Sequence, residues 1–164
     1  FKGYEGARME KIASMVGINK ASLYFHFKSK EDIFRELFLD ILNKYQTILT
    51  TITTESRGLN CKQRLIMIYK QYLEYNLNNT EMAFWNRIYY AAPEFMREEI
   101  IKATADSKTY FINNLAGVME EGIQRKEFKP MNPDSMAMTY LQNSVFWVMR
   151  LLKHYVAIIY HRII

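Results

Sequence analysis

Ala7-Arg-Met-Glu-Lys-Ile-Ala-Ser-Met-Val-Gly-Ile-Asn-Lys-Ala-Ser-Leu-Tyr-Phe-His-Phe-Lys-Ser-Lys30 decides the fold of this chain. Met9, Ile12, Ala13 and Val16 recur at steps of three and four, which puts them on one face of a short helix. Gly17 follows and can take a left-handed conformation at little cost, so it ends that helix. Ile18 is expected to be a buried pivot. Asn19 offers a side-chain acceptor to the free N–H groups of a second helix. Ala21, Ser22 and Leu23 start that helix, with Leu23 and Phe27 facing inward. Ser29 and Asp32 read as a capping box for a third helix, whose N-terminus would also point at phosphate.

Two short helices around such a turn form a helix-turn-helix, whose second helix enters the major groove of DNA. In the recognition segment Asn19 to Phe25, Lys20, Ala21 and Ser22 are placed to reach bases. Tyr24, His26, Lys28 and Lys30 are placed for phosphates. The charge distribution agrees. Residues 1–30 hold six Lys/Arg and two acids, so +4 of the chain's net +5 sits there. Phosphate neutralisation needs positive charge at that place.

The stretches Gly3-Tyr4-Glu5-Gly6, Lys11-Ile12-Ala13, Gly17-Ile18, Ser22-Leu23-Tyr24, His26-Phe27 and Lys28-Ser29-Lys30-Glu31 resemble the signature of the TetR family of bacterial transcriptional regulators. The resemblance runs from about Phe1 to Phe38. It implies an all-α protein with a DNA-binding domain over 1–38 and a larger effector-binding and dimerisation domain over 39–164. It further implies a homodimer joined through the last helices, a near-palindromic operator of double-stranded DNA, a small-molecule effector and, by family habit, repression. Phe1 and Lys2 read as the end of a preceding helix, so the sequence is expected to begin inside the first domain. Ala7-Arg8-Met9 departs from the family's Thr or Ser at this helix start. Arg8 can supply a phosphate contact by charge, but the cap is weaker. That departure supports a second reading, a helical ligand- or partner-binding protein that has lost DNA recognition.

The composition fits a helical chain. The 164 residues are 49% hydrophobic with only six Gly and three Pro, enough for one or two all-α domains with a real core. The single cysteine, Cys61, excludes an internal disulfide and fits a reducing cytoplasm. It is expected at a polar boundary near a helix start. No signal peptide and no membrane-spanning stretch is read, since the charge-free run from Ser135 to Met149 is polar in places and short. There is no Gly-rich phosphate loop, no Gly-x-Ser-x-Gly and no His-Glu-x-x-His, so neither an enzyme nor a cofactor is expected. His154 and His161 lie seven apart, but no local pattern completes a metal site.

Beyond the turn, five further helices are expected. The first spans 29 to about 53, with Phe34, Leu37, Phe38, Ile41, Tyr45, Ile48, Leu49 and Ile52 inward. The second spans 61–78, and Thr80 caps the third, over 81–92. The fourth runs from Pro93 to about Arg125, with Pro93 in its first turn. The last starts at an Asn132 cap, continues past Lys153, and is apolar nearly all round, as a dimer helix would be. Tyr4 is expected to plug the small first core. Aromatic residues make up 15% of the chain and methionines number ten, and such walls suit apolar, aromatic or cationic effectors. Trp85, Tyr89, Phe111, Leu115, Met119, Asn143 and Trp147 are the candidate pocket residues, although the same spacing describes plain core. Gln142 beside Asn143 would orient a polar group, and Glu74, Glu81 or Glu120 would balance a cation.

Overall fold

A computed structural model describes residues 4–144. The described chain is all helical. It comprises α1 (Met9–Val16), α2 (Lys20–His26), α3 (Lys30–Glu55), α4 (Cys61–Asn78), α5 (Thr80–Tyr90), α6 (Arg97–Gln124) and α7 (133–144). Among the described residues there is no strand.

Helix starts follow asparagine and serine caps. The side-chain oxygen of Asn19 accepts the Ser22 N–H at 2.7 Å, that of Ser29 the Asp32 N–H at 3.3 Å, and that of Asn132 the Ser135 N–H at 2.8 Å. The expected Ser29–Asp32 box is half formed, because the Asp32 carboxylate accepts the Lys28 N–H and not that of Ser29. A complete box stands instead at α4. Asn60 accepts the Gln63 N–H at 2.9 Å, and the Gln63 side chain accepts the Asn60 N–H at 3.4 Å. Asn60→Ala frees the Gln63 N–H and is expected to cost about 1 kcal/mol. A urea titration reads this as a lower midpoint at unchanged slope, and an unmoved midpoint would refute the cap's contribution.

Two helix starts differ from expectation. Asn79, not Thr80, caps α5, its side chain accepting the Glu81 N–H at 2.8 Å. Pro93 does not open a long helix. Its backbone is extended, residues Glu94–Met96 make one 3₁₀ turn, and α6 begins only at Arg97. The turn sends Met96 into the core. Cys61 is also core rather than boundary, with no exposed surface. Burial raises its thiol pKa, and the Glu121 carboxylate adds to the shift.

Three clusters of buried side chains lie along α3. Ile33 packs on the first, formed by Met9, Ala13 and Leu23. Phe34, Phe38, Ile41 and Leu42 belong to the second, with Met82, Trp85 and Ile88 of α5 and Met96 and Ile100. Leu49 and Ile52 belong to the third, with Ile68 and Tyr72 of α4, Phe111, Leu115 and Met119 of α6 and Ala137 and Leu141 of α7. The helix is 26 residues long, roughly 39 Å at the α-helical rise, and it joins the small module to the larger helical part as one rod. Leu37, expected inward, faces solvent between the buried positions.

Tyr4 docks on the second cluster rather than the small first core. Its ring meets Phe34 at 5.2 Å and Phe95 at 5.4 Å, and its hydroxyl donates to Glu31. Burial, then the neighbouring Glu31 carboxylate, pushes the Tyr4 phenol above its ordinary pKa. The described part of α7 is amphipathic. Ala137, Leu141 and Ser144 are buried while Met138, Thr139, Gln142 and Asn143 are exposed. The all-round apolar character expected of this helix is therefore not met over 133–144, and its continuation from 145, with His154 and His161, lies outside the described residues.

Candidate DNA-binding surface

Gly17 sets the angle between α1 and α2. Its φ of 73° is the left-handed region, and the Ile18 N–H turns back to the Ala13 carbonyl at 3.0 Å, closing a Schellman motif. A side chain at this position would be strained by the backbone alone. The turn lets Leu23 reach Met9 and Ala13, with Ile12 and Phe27 against them.

With Leu23 inward, the rest of α2 points out. Lys20, Ala21, Ser22, Tyr24, Phe25 and His26 are all exposed. Phe25 is 84% exposed, with only the His26 ring beside it at 5.2 Å. An aromatic ring left in water on a recognition helix suits apolar contact with a thymine methyl. Arg8 and Lys28 are exposed on either side of α2 in sequence. Arg8 is the N-cap residue of α1 and makes no side-chain cap bond, as its substitution for Ser or Thr implies.

Two sequence-predicted contacts are already engaged within the chain. Asn19 spends its side-chain oxygen on the α2 cap. Lys30 is half-buried and folds back, its ammonium 4.2 Å from the Tyr4 ring centre and 3.5 Å from the Tyr4 carbonyl. It therefore fastens the α3 start to the Tyr4 turn, whereas the Lys28 side chain is exposed. Ile18 and Val16 also differ from expectation. They are 42% and 64% exposed, because no described element packs over that side of the turn. Sequence reasoning missed Glu10, whose carboxylate lies 2.5 Å from the Lys20 ammonium. The two stand ten residues apart across the turn, so no local pattern links them.

The model of the bacterial regulatory proteins, tetR family, matches residues 2–37. Over this N-terminal stretch the chain is similar to TetR-family regulators. It is 41% identical over 44 residues to the biofilm operon negative transcriptional regulator IcaR of Staphylococcus epidermidis, a match covering 27% of this chain and 24% of IcaR. It is 23% identical over 127 residues to the fatty acid metabolism regulator protein of Bacillus subtilis, covering 77% of this chain and 63% of that one. The chain thus spans between a quarter and two thirds of the length of these relatives.

The likeness in fold to solved structures extends through the larger helical part. A putative fatty acid metabolism regulator of Clostridium perfringens superposes with a TM-score of 0.66 at 23% identity, over 93% of this chain and 80% of that one. FadR of Bacillus subtilis in complex with stearoyl-CoA gives 0.61 at 22% identity, over 93% and 82%. AibR in complex with isovaleryl coenzyme A and operator DNA gives 0.61 at 19% identity, over 86% and 74%. These likenesses carry the fold.

The larger part holds the candidate pocket residues in three different places. Phe111, Leu115 and Met119 are closed into the third core cluster, and Phe111 stacks on Tyr72 at 5.5 Å. Trp85 belongs to the second cluster and stacks on Phe38. Asn143 and Gln142 face solvent on α7, and the side chain of Tyr89 and all of Trp147 lie outside the described residues. An open cleft among the described residues lies elsewhere. It is about 410 Å³, lined by Ala92 and by Arg97, Ile100, Ile101, Thr104, Ala105 and Lys108 along one side of α6. Its charged groups are cationic. The carboxylates proposed to balance a cation do not line it: Glu81 pairs with Lys44 at 2.8 Å, and Glu74 and Glu120 are exposed. The spacing 97, 101, 104, 108 was available in the sequence as one helix face, but it lacks the aromatic content that drew attention elsewhere.

Proposed function

We propose that this chain is the DNA-binding and effector-sensing part of a transcriptional repressor that binds a near-palindromic operator as a homodimer. The observation that carries the reading is the α1–Gly17–α2 geometry, which buries Leu23 alone on α2 and leaves every other side chain of that helix open to a major groove. Lys20, Ala21, Ser22 and Phe25 read base edges. Arg8, Tyr24, His26 and Lys28 hold phosphates. IcaR, a negative regulator, supports repression. Pairing through the last helices places the two recognition helices about one DNA turn, roughly 34 Å, apart.

The effector is an acyl group on an anionic carrier. The α6 cleft offers an apolar floor in Ile100, Ile101 and Ala105, with Lys108 as a cationic partner for phosphate or carboxylate and Arg97, paired with Glu94 at 2.6 Å, as a second cation that would exchange partners. The named ligands of the FadR and AibR complexes, stearoyl-CoA and isovaleryl coenzyme A, have this chemistry. Binding shifts the population away from DNA only to the extent that the ligand prefers the DNA-incompetent arrangement. The rigid α3 rod and the Tyr4–Phe95 contact are the routes by which a shift at α6 tilts the small module.

Lys28→Ala tests the DNA face. Binding to operator and to random duplex is expected to weaken alike, and the salt slope to flatten by about 0.9. Anisotropy titrations at four salt concentrations read both quantities. An unchanged slope removes Lys28 from the phosphate contacts.

A further inference from the structure

We propose that Glu10 withholds Lys20 from the phosphates of non-cognate DNA, an inference that rests on the DNA-binding reading above. The Lys20 ammonium sits 2.5 Å from the Glu10 carboxylate and 5.6 Å from the Tyr24 ring centre, at the start of the recognition helix. Glu10 is the sole acid among the exposed groups of α1 and α2, and it lies where every other charged group is positive. A carboxylate facing a phosphate backbone opposes binding, so its position next to the first base-reading cation has a consequence for affinity. The pair is mutual. Lys20 lowers the Glu10 carboxyl pKa chiefly by its hydrogen bond, and Glu10 raises that of Lys20 in the same way.

Whether Lys20 leaves Glu10 follows from what it gains on each kind of DNA. On a cognate site it can donate to guanine O6 and N7, a contact that discriminates among bases by roughly tenfold or more. That gain exceeds what an exposed ion pair offers, so Lys20 leaves Glu10. On random DNA the alternative is one more screened phosphate contact, and Lys20 stays paired. The protein then meets non-specific DNA with one cation fewer than its surface carries. Both groups are more than half exposed, so Glu10→Gln removes the charge without opening the core.

The experiment measures wild-type full-length protein and Glu10→Gln on an enriched operator duplex and on a random duplex of equal length, from 50 to 300 mM salt. On random DNA the variant is expected to bind severalfold tighter at low salt, with its salt slope steeper by about 0.9 as Lys20 joins the phosphate contacts. On operator the slope is expected to stay within error of wild type while the affinity rises, because Lys20 no longer has to leave Glu10 to reach a base. Equal slopes for both proteins on random DNA would overturn the proposal, as would a loss of operator affinity in Glu10→Gln, which would make Glu10 a direct reader of cytosine N4. A merely structural role would lower the melting temperature and leave the random-DNA slope alone, which also overturns it. If wild-type protein shows no preference for any operator, the DNA-binding reading itself fails, and that outcome is distinct from the others.

Discussion

Phe38→Ala is expected to destabilise the protein by about 3–5 kcal/mol, the cost of emptying a large aromatic site that cannot fully collapse. Phe38 is wholly buried at the middle of α3 and lies flat against Trp85, with ring centres 5.8 Å apart and planes 3° from parallel. Around it are Phe34, Ile41 and Leu42 from its own helix and Met82, Ile88, Met96 and Ile100 from α5 and the α6 start. Those contacts hold the small module's long helix to the larger part. The loss therefore falls on stability and on the coupling between the two. Thermal unfolding should shift down by roughly 10 °C, and Phe38→Leu, which keeps most of the volume, should cost less than half as much. A Phe38→Ala loss below about 1 kcal/mol would mean that this cluster is not close-packed.

Gly122→Ala is expected to destabilise although it places a better helix former within α6. A methyl group there would stand 2.3 Å from the Phe128 ring and 3.1 Å from the Cys61 Cβ. The Phe128 ring lies against α6 because the chain reverses just after it, with the Glu127 and Phe128 N–H groups both reaching the Gly122 carbonyl. Lys126 adopts a φ of 60° to make that reversal. Overpacking of this kind costs about 1–3 kcal/mol, which outweighs the roughly 1 kcal/mol gained in helix propensity. Displacing Phe128 also uncovers Cys61. The variant should show a lower urea midpoint together with faster reaction of the Cys61 thiol with an aromatic disulfide reagent. Unchanged stability with an unreactive thiol would contradict the described seat of Phe128.

The parts of the fold that were legible in the sequence are those decided within four residues. Asn19, Ser29 and Asn132 cap where their spacing to the next apolar run places them, and Gly17 ends α1 because the following Ile18 N–H must return to Ala13. Where two caps compete locally, sequence alone chose wrongly. Asn79 and Thr80 are adjacent, and the asparagine oxygen reaches Glu81 N–H from one position earlier. Pro93 fits a helical first turn as well as an extended link, and burial of Met96 selects the link.

The site divides in the same way. Which side of α2 faces outward follows from Leu23 alone, so the exposed set was readable. Lys30 was not, because its partner Tyr4 comes from a turn 26 residues away. Periodicity showed that Phe111, Leu115 and Met119 face inward but not whether they meet a void or another side chain. They meet Ile68, Tyr72 and Leu141, and an open space lies instead beside Ala92 and the start of α6. That difference is set by how four helices fit together, which no single helix records.

Selection of bound fragments from a random DNA pool by the full-length protein tests the central claim most directly. The account predicts enrichment of an inverted repeat whose half-sites lie about one helical turn apart, with affinity for the enriched duplex falling steeply as salt rises from 50 to 200 mM. Failure to enrich any sequence, with and without long-chain acyl-CoA present, would contradict it and leave the exposed face of α2 without a role in reading DNA.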